Sequence, residues 1–300
     1  MKAMTDRSMS EQMSTKPGFI AALDQSGGST PGALRLYGIP DSAYSGDAEM
    51  FKLMHEFRVR IISSPSFTGD KVIAAILFEM TMDGTAQGKP VPSYLWEDRK
   101  VVPFLKIDKG LEAESDGVSM MKPMPGLDDL LARAVKLGIY GTKERSTINL
   151  PSKTGIKAIV DQQFEIGKQV ASHGLMPILE PEVSIKSPDK AGAEAILRDE
   201  LASHLDAMTD GQVMIKLTIP DKPDFYAPVI SHKRVKRVVA LSGGYTRADA
   251  DEKLSHQHNM IASFSRALVQ DLKAQMTDAE FNAALTQAID EIYKASTVKV

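Results

Sequence analysis

A lysine stands alone inside an apolar run at Gln212-Val-Met-Ile-Lys216-Leu-Thr-Ile-Pro220. Burial disfavours its ammonium form and nearby cations press the same way, so such a residue can present the neutral amine that attacks a ketone. The structural alternative is an ion-paired core lysine whose head reaches a rim, and residue type alone weighs the two evenly. In Met176-Pro-Ile-Leu-Glu180-Pro-Glu182 two carboxylates stand two residues apart. On an extended segment both point to one face, where repulsion or a shared cation separates their pKa values and leaves one as a general acid/base. Paired carboxylates also serve metals, but no histidine is spaced to complete a site with them. His256 and His258 fall in a polar helical stretch and read as solvent-exposed, so no metal site is expected.

Three further patterns carry chemistry more weakly. Lys143-Glu-Arg145 sends two basic side chains one way, as a solvated strand edge also would. Lys106 and Asp108 share a face at the end of Val102-Pro-Phe-Leu-Lys106-Ile-Asp108, where an ordinary salt-bridged terminus is the alternative. Val238-Val-Ala-Leu-Ser242-Gly-Gly244 leads a strand into two glycines whose amides can wrap a phosphate oxygen beside the serine hydroxyl, although glycines after a strand are commonly only a turn. Neither a Walker loop nor a dinucleotide fingerprint is present, which argues against nucleotide chemistry and leaves no cofactor expected.

Short aliphatic runs that could position these residues alternate with helix-period segments, the signature of repeated βα units. The expected strands are Phe19–Asp24, Val72–Glu79, Val101–Ile107, Lys143–Asn149, Met176–Glu182, Val213–Ile219, Arg237–Gly243 and Ile261–Ser265. Asn259–Ser265 also reads as the start of the following helix. Amphipathic helices are expected at Asp47–Ile62, Leu127–Leu137, Lys157–His173, Ala193–Leu205 and Arg266–Lys273, and a last one begins at the capping-box pattern Thr277 with Glu280. Eight βα repeats in 300 residues suit a single (β/α)8 barrel filling 1–300, with 1–17 a polar extension and 277–300 a C-terminal helix and tail. Such a barrel gathers the polar strand ends at one mouth.

Composition narrows the function classes. The chain has 36 basic and 39 acidic residues and no sustained basic block, so a nucleic-acid partner is not expected. The longest apolar run, Val72 to Phe78, is too short for a bilayer, and the absence of cysteine removes thiolate chemistry and suits a reducing compartment. The expectation is a cytoplasmic protein with no membrane partner, self-association being left open.

Ala21-Ala-Leu-Asp24-Gln-Ser26, Leu105-Lys106-Ile-Asp108-Lys-Gly110, Ile178-Leu-Glu180-Pro-Glu182, Ile215-Lys216 and Leu241-Ser242-Gly-Gly244, in order between Gly18 and Leu268, resemble class I fructose-1,6-bisphosphate aldolase, particularly its shorter bacterial branch. The resemblance implies that Lys216 forms an imine with a phosphorylated ketose and that Glu180 handles protons. Asp24 and Glu182 then resemble the supporting carboxylates and Lys143 the cation beside the imine. Lys106, Ser242, Gly243 and Arg266 resemble phosphate contacts, and Ser26 and Ser29 a serine pair after the first strand. Lys143 and Arg145 are expected to hold down the pKa of Lys216, Arg145 also contacting substrate hydroxyls. The implied reaction is metal-independent cleavage of fructose 1,6-bisphosphate in glycolysis and gluconeogenesis, and its reversal.

The sequence departs from the animal members of that family at three places. Gln25 replaces a second acidic residue, Gly32 stands near the position at which they carry a phosphate-binding lysine, and the tail Ala295-Ser-Thr-Val-Lys-Val300 lacks the terminal tyrosine of enamine proton exchange. Tyr293 is no obvious substitute, so no residue is assigned to that step. The alternatives are another Schiff-base enzyme of this fold, such as a tagatose-bisphosphate aldolase or a transaldolase-like transferase, and a non-catalytic barrel serving as a binding module.

Overall fold

The computed structural model describes residues 2–26 and 28–300, with side chains from Arg7 onward. Its centre is a ring of parallel strands: β1 (Phe19–Leu23), β2 (Val72–Leu77), β3 (Val102–Lys106), β4 (Gly141–Ile148), β5 (Met176–Val183), β6 (Val213–Thr218), β7 (Val235–Leu241) and β8 (Met260–Phe264). Neighbours run β3-β2-β1-β8-β7-β6-β5-β4, and β3 returns to β4 through Phe104, Leu105 and Lys106 opposite Gly141, Thr142 and Lys143. This is the (β/α)8 barrel expected from the alternation of elements. A two-residue antiparallel segment, Val118–Ser119, is added alongside the end of β4.

Several strand limits differ from expectation for local reasons. β4 begins at Gly141 instead of Lys143, because a side chain there would meet Met176 O at 2.2 Å and Phe104 Cε1 at 2.6 Å, so only glycine lets the strands approach. Glu79, expected at the end of β2, opens the helical turn Glu79–Met82. The seventh strand ends at Leu241, leaving Ser242 and Gly243 in the turn. Asn259–Ser265 resolves in favour of a strand, since β7 and β1 flank Met260–Phe264 and supply its ladder partners.

The outer helices are α1 (Lys2–Thr15), α2 (Thr30–Tyr37), α3 (Gly46–Ser63), α4 (Leu127–Lys136), α5 (Lys153–Ser172), α6 (Lys190–Ala207), α7 (Arg247–Ser255) and α8 (Asp278–Thr297). The helix expected over Arg266–Lys273 shortens to Arg266–Val269. α8 starts as the sequence indicates: Thr277 and Glu280 form a reciprocal capping box that satisfies two otherwise orphaned amides. α1 shows little amphipathic pattern beyond Met9 and Met13. Yet those methionines, one helical turn apart, are fully buried with the barrel interior and pack near Trp96, Tyr140 and Met176.

Two hydrophobic layers result. One lies between strands and helices, and α3 contributes Met50, Met54, Phe57 and Ile61 to it, the stripe read from the sequence. The other fills the barrel with Ile20, Ala74, Ile76, Val102, Phe104, Ile178, Met214 and Val239 above the methionines of α1. Each of these side chains larger than alanine stabilises the fold by about 1.5–3 kcal/mol on transfer from water.

Candidate active site

Above the apolar interior the inward positions become ionisable. On β5 Ile178 is followed two residues on by Glu180 and then Glu182, on β6 Met214 by Lys216, and on β3 Phe104 by Lys106. These side chains open on a cleft of about 660 Å³ at the C-terminal strand ends, where barrels of this type place their sites. Every sequence-selected candidate lines it: Lys216, Glu180, Asp24, Lys143, Glu182, Lys106, Arg145, Ser242, Gly243, Arg266, Ser26 and Ser29.

A chain of charges runs across its base. Lys216 Nζ, on a residue only 4% exposed, lies 3.0 Å from Glu180 Oε1. The other carboxylate oxygen, Oε2, lies 2.7 Å from Lys143 Nζ, which is also 2.6 Å from Asp24 Oδ2. Burial opposes the charges of Asp24, Glu180 and Lys143, but their partners outweigh it. Lys143 and Lys216 hold the carboxyls of Asp24 and Glu180 below their ordinary values, and Asp24 and Glu180 hold the Lys143 ammonium well above that of a free lysine.

The cation expected beside Lys216 reaches it through a shared carboxylate: Glu180 stands between Lys143 and Lys216 and pairs with both. Several buried cations are tolerable only with carboxylates interleaved among them. Arg145 instead pairs with Glu182, Nη1 to Oε2 at 3.0 Å.

The two carboxylates of β5 separate in opposite directions. Burial raises the Glu182 pKa against the pull of Arg145, while Glu180 is held low. On β3, Lys106 Nζ pairs with Asp108 Oδ1 at 2.5 Å, and burial lowers its pKa despite that partner. Asp108 Oδ2 accepts a hydrogen bond from the Arg145 amide at 3.2 Å, linking the ends of β3 and β4.

The opposite wall is built from backbone and hydroxyls. Ser242 is followed by Gly243 and Gly244, with φ of +61° and +113°. A side chain on Gly243 would meet Ile185 Cγ2 at 2.7 Å, and one on Gly244 would crowd the Arg266 guanidinium at 3.2 Å, so this turn requires glycine on both counts. The serine, two free-standing glycines and arginine thus meet at one corner, an arrangement suited to a phosphate dianion. Beside it on the rim, where the loop after β1 meets the loop after β8, the Ser26 amide donates to Ser29 Oγ at 3.1 Å just before α2.

Sequence reasoning overlooked some supporting residues. Arg58 of α3 is almost wholly buried, donating to the Gln25 carbonyl at 2.5 Å and to Thr81 Oγ1 at 2.8 Å, and so pins the loop after β1. Its position beside Phe57 on the apolar stripe was the available signal. Gln163 of α5 accepts from the Glu180 amide at 3.2 Å and donates to Ser146 Oγ at 2.7 Å, fixing β5 against β4. Gln25 reaches Ser265 Oγ at 2.8 Å, and Arg35 of α2 lines the outer rim while pairing with Asp41. His256 and His258 lie away from the cleft, paired with Glu252 and Asp224. Among the described residues no group of histidine and carboxylate side chains is arranged to hold a metal ion.

Comparison with known proteins extends the geometry. The family model described as fructose-bisphosphate aldolase class-I matches residues 48–241. The fructose-bisphosphate aldolase class 1 of Synechocystis sp. is 55% identical over 287 residues, covering 95% of this chain and 96% of the relative. That of Porphyromonas gingivalis is 54% identical over 286 residues, covering 95% and 97%. A solved fructose-bisphosphate aldolase from Plasmodium falciparum, in complex with TRAP and a small-molecule inhibitor, superposes with a TM-score of 0.80 at 19% identity over 100% of this chain and 96% of its own, a likeness of fold. A closed barrel, a lysine paired with a carboxylate at its mouth and relatives matched over nearly their whole length lead to one conclusion: the chain belongs to the class I fructose-bisphosphate aldolase family.

Proposed function

We propose that this protein cleaves fructose 1,6-bisphosphate into dihydroxyacetone phosphate and glyceraldehyde 3-phosphate, and catalyses the reverse condensation, through an imine on Lys216. The observation that carries the reading is the buried contact of 3.0 Å between Lys216 Nζ and Glu180 Oε1 at the base of the cleft. A proton on the amine has a carboxylate to receive it, and the same carboxylate can return a proton to the departing C2 hydroxyl.

In this scheme Lys216 adds to the C2 carbonyl, the carbinolamine loses water with Glu180 as acid, and an iminium forms. Glu180, a carboxylate again after the dehydration, takes the C4 hydroxyl proton as the C3–C4 bond breaks, and the bond's electron pair flows into the iminium to give an enamine. Glyceraldehyde 3-phosphate leaves, the enamine takes a proton at C3, and hydrolysis frees dihydroxyacetone phosphate and the lysine. Lys143 keeps Glu180 and Asp24 ionised beside the reacting carbons, its own charge being secured by both. Glu182, raised in pKa and held by Arg145, supports proton exchange with Glu180. Lys106, Ser242, Gly243 and Arg266 hold phosphate, with Ser26 and Ser29 beside Arg266 on the rim.

We assign this work to the cytoplasm and to the whole chain, 1–300, as one catalytic unit. The lack of cysteine suits a reducing compartment, and among the described residues no helix is long and apolar enough to cross a membrane. Borohydride reduction with dihydroxyacetone phosphate tests the scheme: mass spectrometry is expected to place the adduct on Lys216, and EDTA to leave turnover unchanged. An adduct on another residue overturns it. Parallel turnover on stereoisomeric bisphosphates distinguishes it from a tagatose-bisphosphate enzyme.

A further inference from the structure

We propose a second anion site on the opposite face of the barrel, a cavity beneath α1 that takes the phosphate group of a small phosphorylated molecule. The cavity measures about 890 Å³ and lies where β7 and β8 begin, between the end of α1 and the end of α8. That volume is in the range of ligand pockets, roughly 300–1,000 Å³, and exceeds the need of a lone inorganic ion.

Its lining is unbalanced in charge. Lys16, Lys236, Arg237 and Lys299 reach it, against one carboxylate, Asp224. That carboxylate is already engaged, with Oδ1 accepting from the His258 amide at 2.7 Å and Oδ2 lying 2.9 Å from His258 Nδ1. Among the described residues none of the four cations forms a salt bridge, and Lys299 alone feels a carboxylate, Asp224, at longer range. Lys236 Nζ donates to Ser10 Oγ at 3.0 Å and Ser14 Oγ at 2.9 Å, and Arg237 to the carbonyls of Lys16 at 2.9 Å and Ser14 at 3.0 Å. Lys299 donates to the carbonyls of Leu254, Met260 and Ala295, and Lys16 only to Gln12 Oε1 at 3.4 Å.

The catalytic mouth obeys the opposite rule, since Lys106, Lys143, Arg145 and Lys216 each face a carboxylate there. Neutral hydroxyls and carbonyls orient the floor cations without cancelling their charge. Partial burial already lowers the Lys299 pKa to about 8, with Asp224 only partly opposing it, so an incoming anion regains what desolvation removed. A guanidinium fork set among ammonium groups matches the tetrahedral oxygens of phosphate better than a single carboxylate. The ligand would join α1, β7 and the C-terminal tail.

Inorganic pyrophosphate is the probe, and hydrogen exchange read by mass spectrometry is the measurement. Wild-type protein should show protection of peptides covering 10–17 and 234–239, separately from those covering 241–245 at the mouth. Lys236→Gln should raise the concentration for half-protection of the floor peptides at least tenfold, leaving the mouth peptides and turnover unchanged. If Lys236→Gln also speeds exchange in α1 without ligand, Lys299→Gln, on the other wall, is judged by the same tenfold criterion. Protection confined to the mouth, or floor protection indifferent to both substitutions, overturns the proposal. The test stands apart from the catalytic assignment, because it needs neither an imine nor turnover.

Discussion

Two zones of the barrel interior differ within two residues of the same strands. Ile178, Met214 and Phe104 make the lower zone a dry plug, closed from below by Met9 and Met13, whereas Glu180, Lys216 and Lys106 make the zone above it a lattice of opposite charges. The plug contributes stability by removing apolar surface from water. The lattice contributes little, because desolvation offsets most of the attraction between buried ions. Under the proposed mechanism these charges serve reactivity, and substitutions in the two zones should therefore have different signatures.

The largest effect should come from Lys216→Met, an apolar side chain of similar reach: turnover falls on the order of 10⁴-fold or more, while the urea midpoint falls only modestly, because Glu180 keeps the Lys143 ammonium as a partner. Retained turnover would break the contrast at its centre. Glu180→Gln should follow, with kcat reduced by about 10²–10⁴-fold, the range of a positioned acid/base, and with borohydride trapping slowed in parallel. Ile178→Ala, two residues below on the same strand, should destabilise by about 2–5 kcal/mol in urea unfolding and leave kcat per folded molecule within a few-fold.

The smallest effect is on acidity. Asp24 and Glu180 have folded pKa values below the unfolded ones, so their contribution is complete above about pH 4 and is lost as the pH falls further. Each adds a slope approaching about 1.4 kcal/mol per pH unit while folded and unfolded states differ by one bound proton. Urea unfolding of Asp24→Asn from neutral pH down to about pH 3 should show a shallower acid limb than wild type. Ile178→Ala should shift the whole curve without altering that slope.

Much of the charge lattice was legible because charge within an apolar, period-2 strand is a strong local signal, as at Lys216 and Glu180. The pairing was not, because which lysine meets which carboxylate depends on register between strands: Arg145, not Lys143, lies opposite Glu180 in the ladder, yet Lys143 reaches its side chain. Met260–Phe264 was ambiguous as an isolated stretch and became a strand only through neighbours supplied by β7 and β1. α1 escaped notice because two methionines in a polar segment do not make a visible stripe, although the barrel offers them a complete apolar seat. Arg58 escaped because its place beside Phe57 is a faint signal, and the carbonyl and hydroxyl that receive it come from other elements.

Closure of the ring carries a consequence for biosynthesis. β1 pairs with β8 through Ile20 opposite Ser263 and Ala21 opposite Phe264, so the first strand to leave the ribosome waits for the last. Until then its outer edge offers unsatisfied amides and carbonyls to any passing strand. A nascent chain stalled before β8 is therefore a candidate for chaperone capture, and translation speed over the final third of the message bears directly on yield.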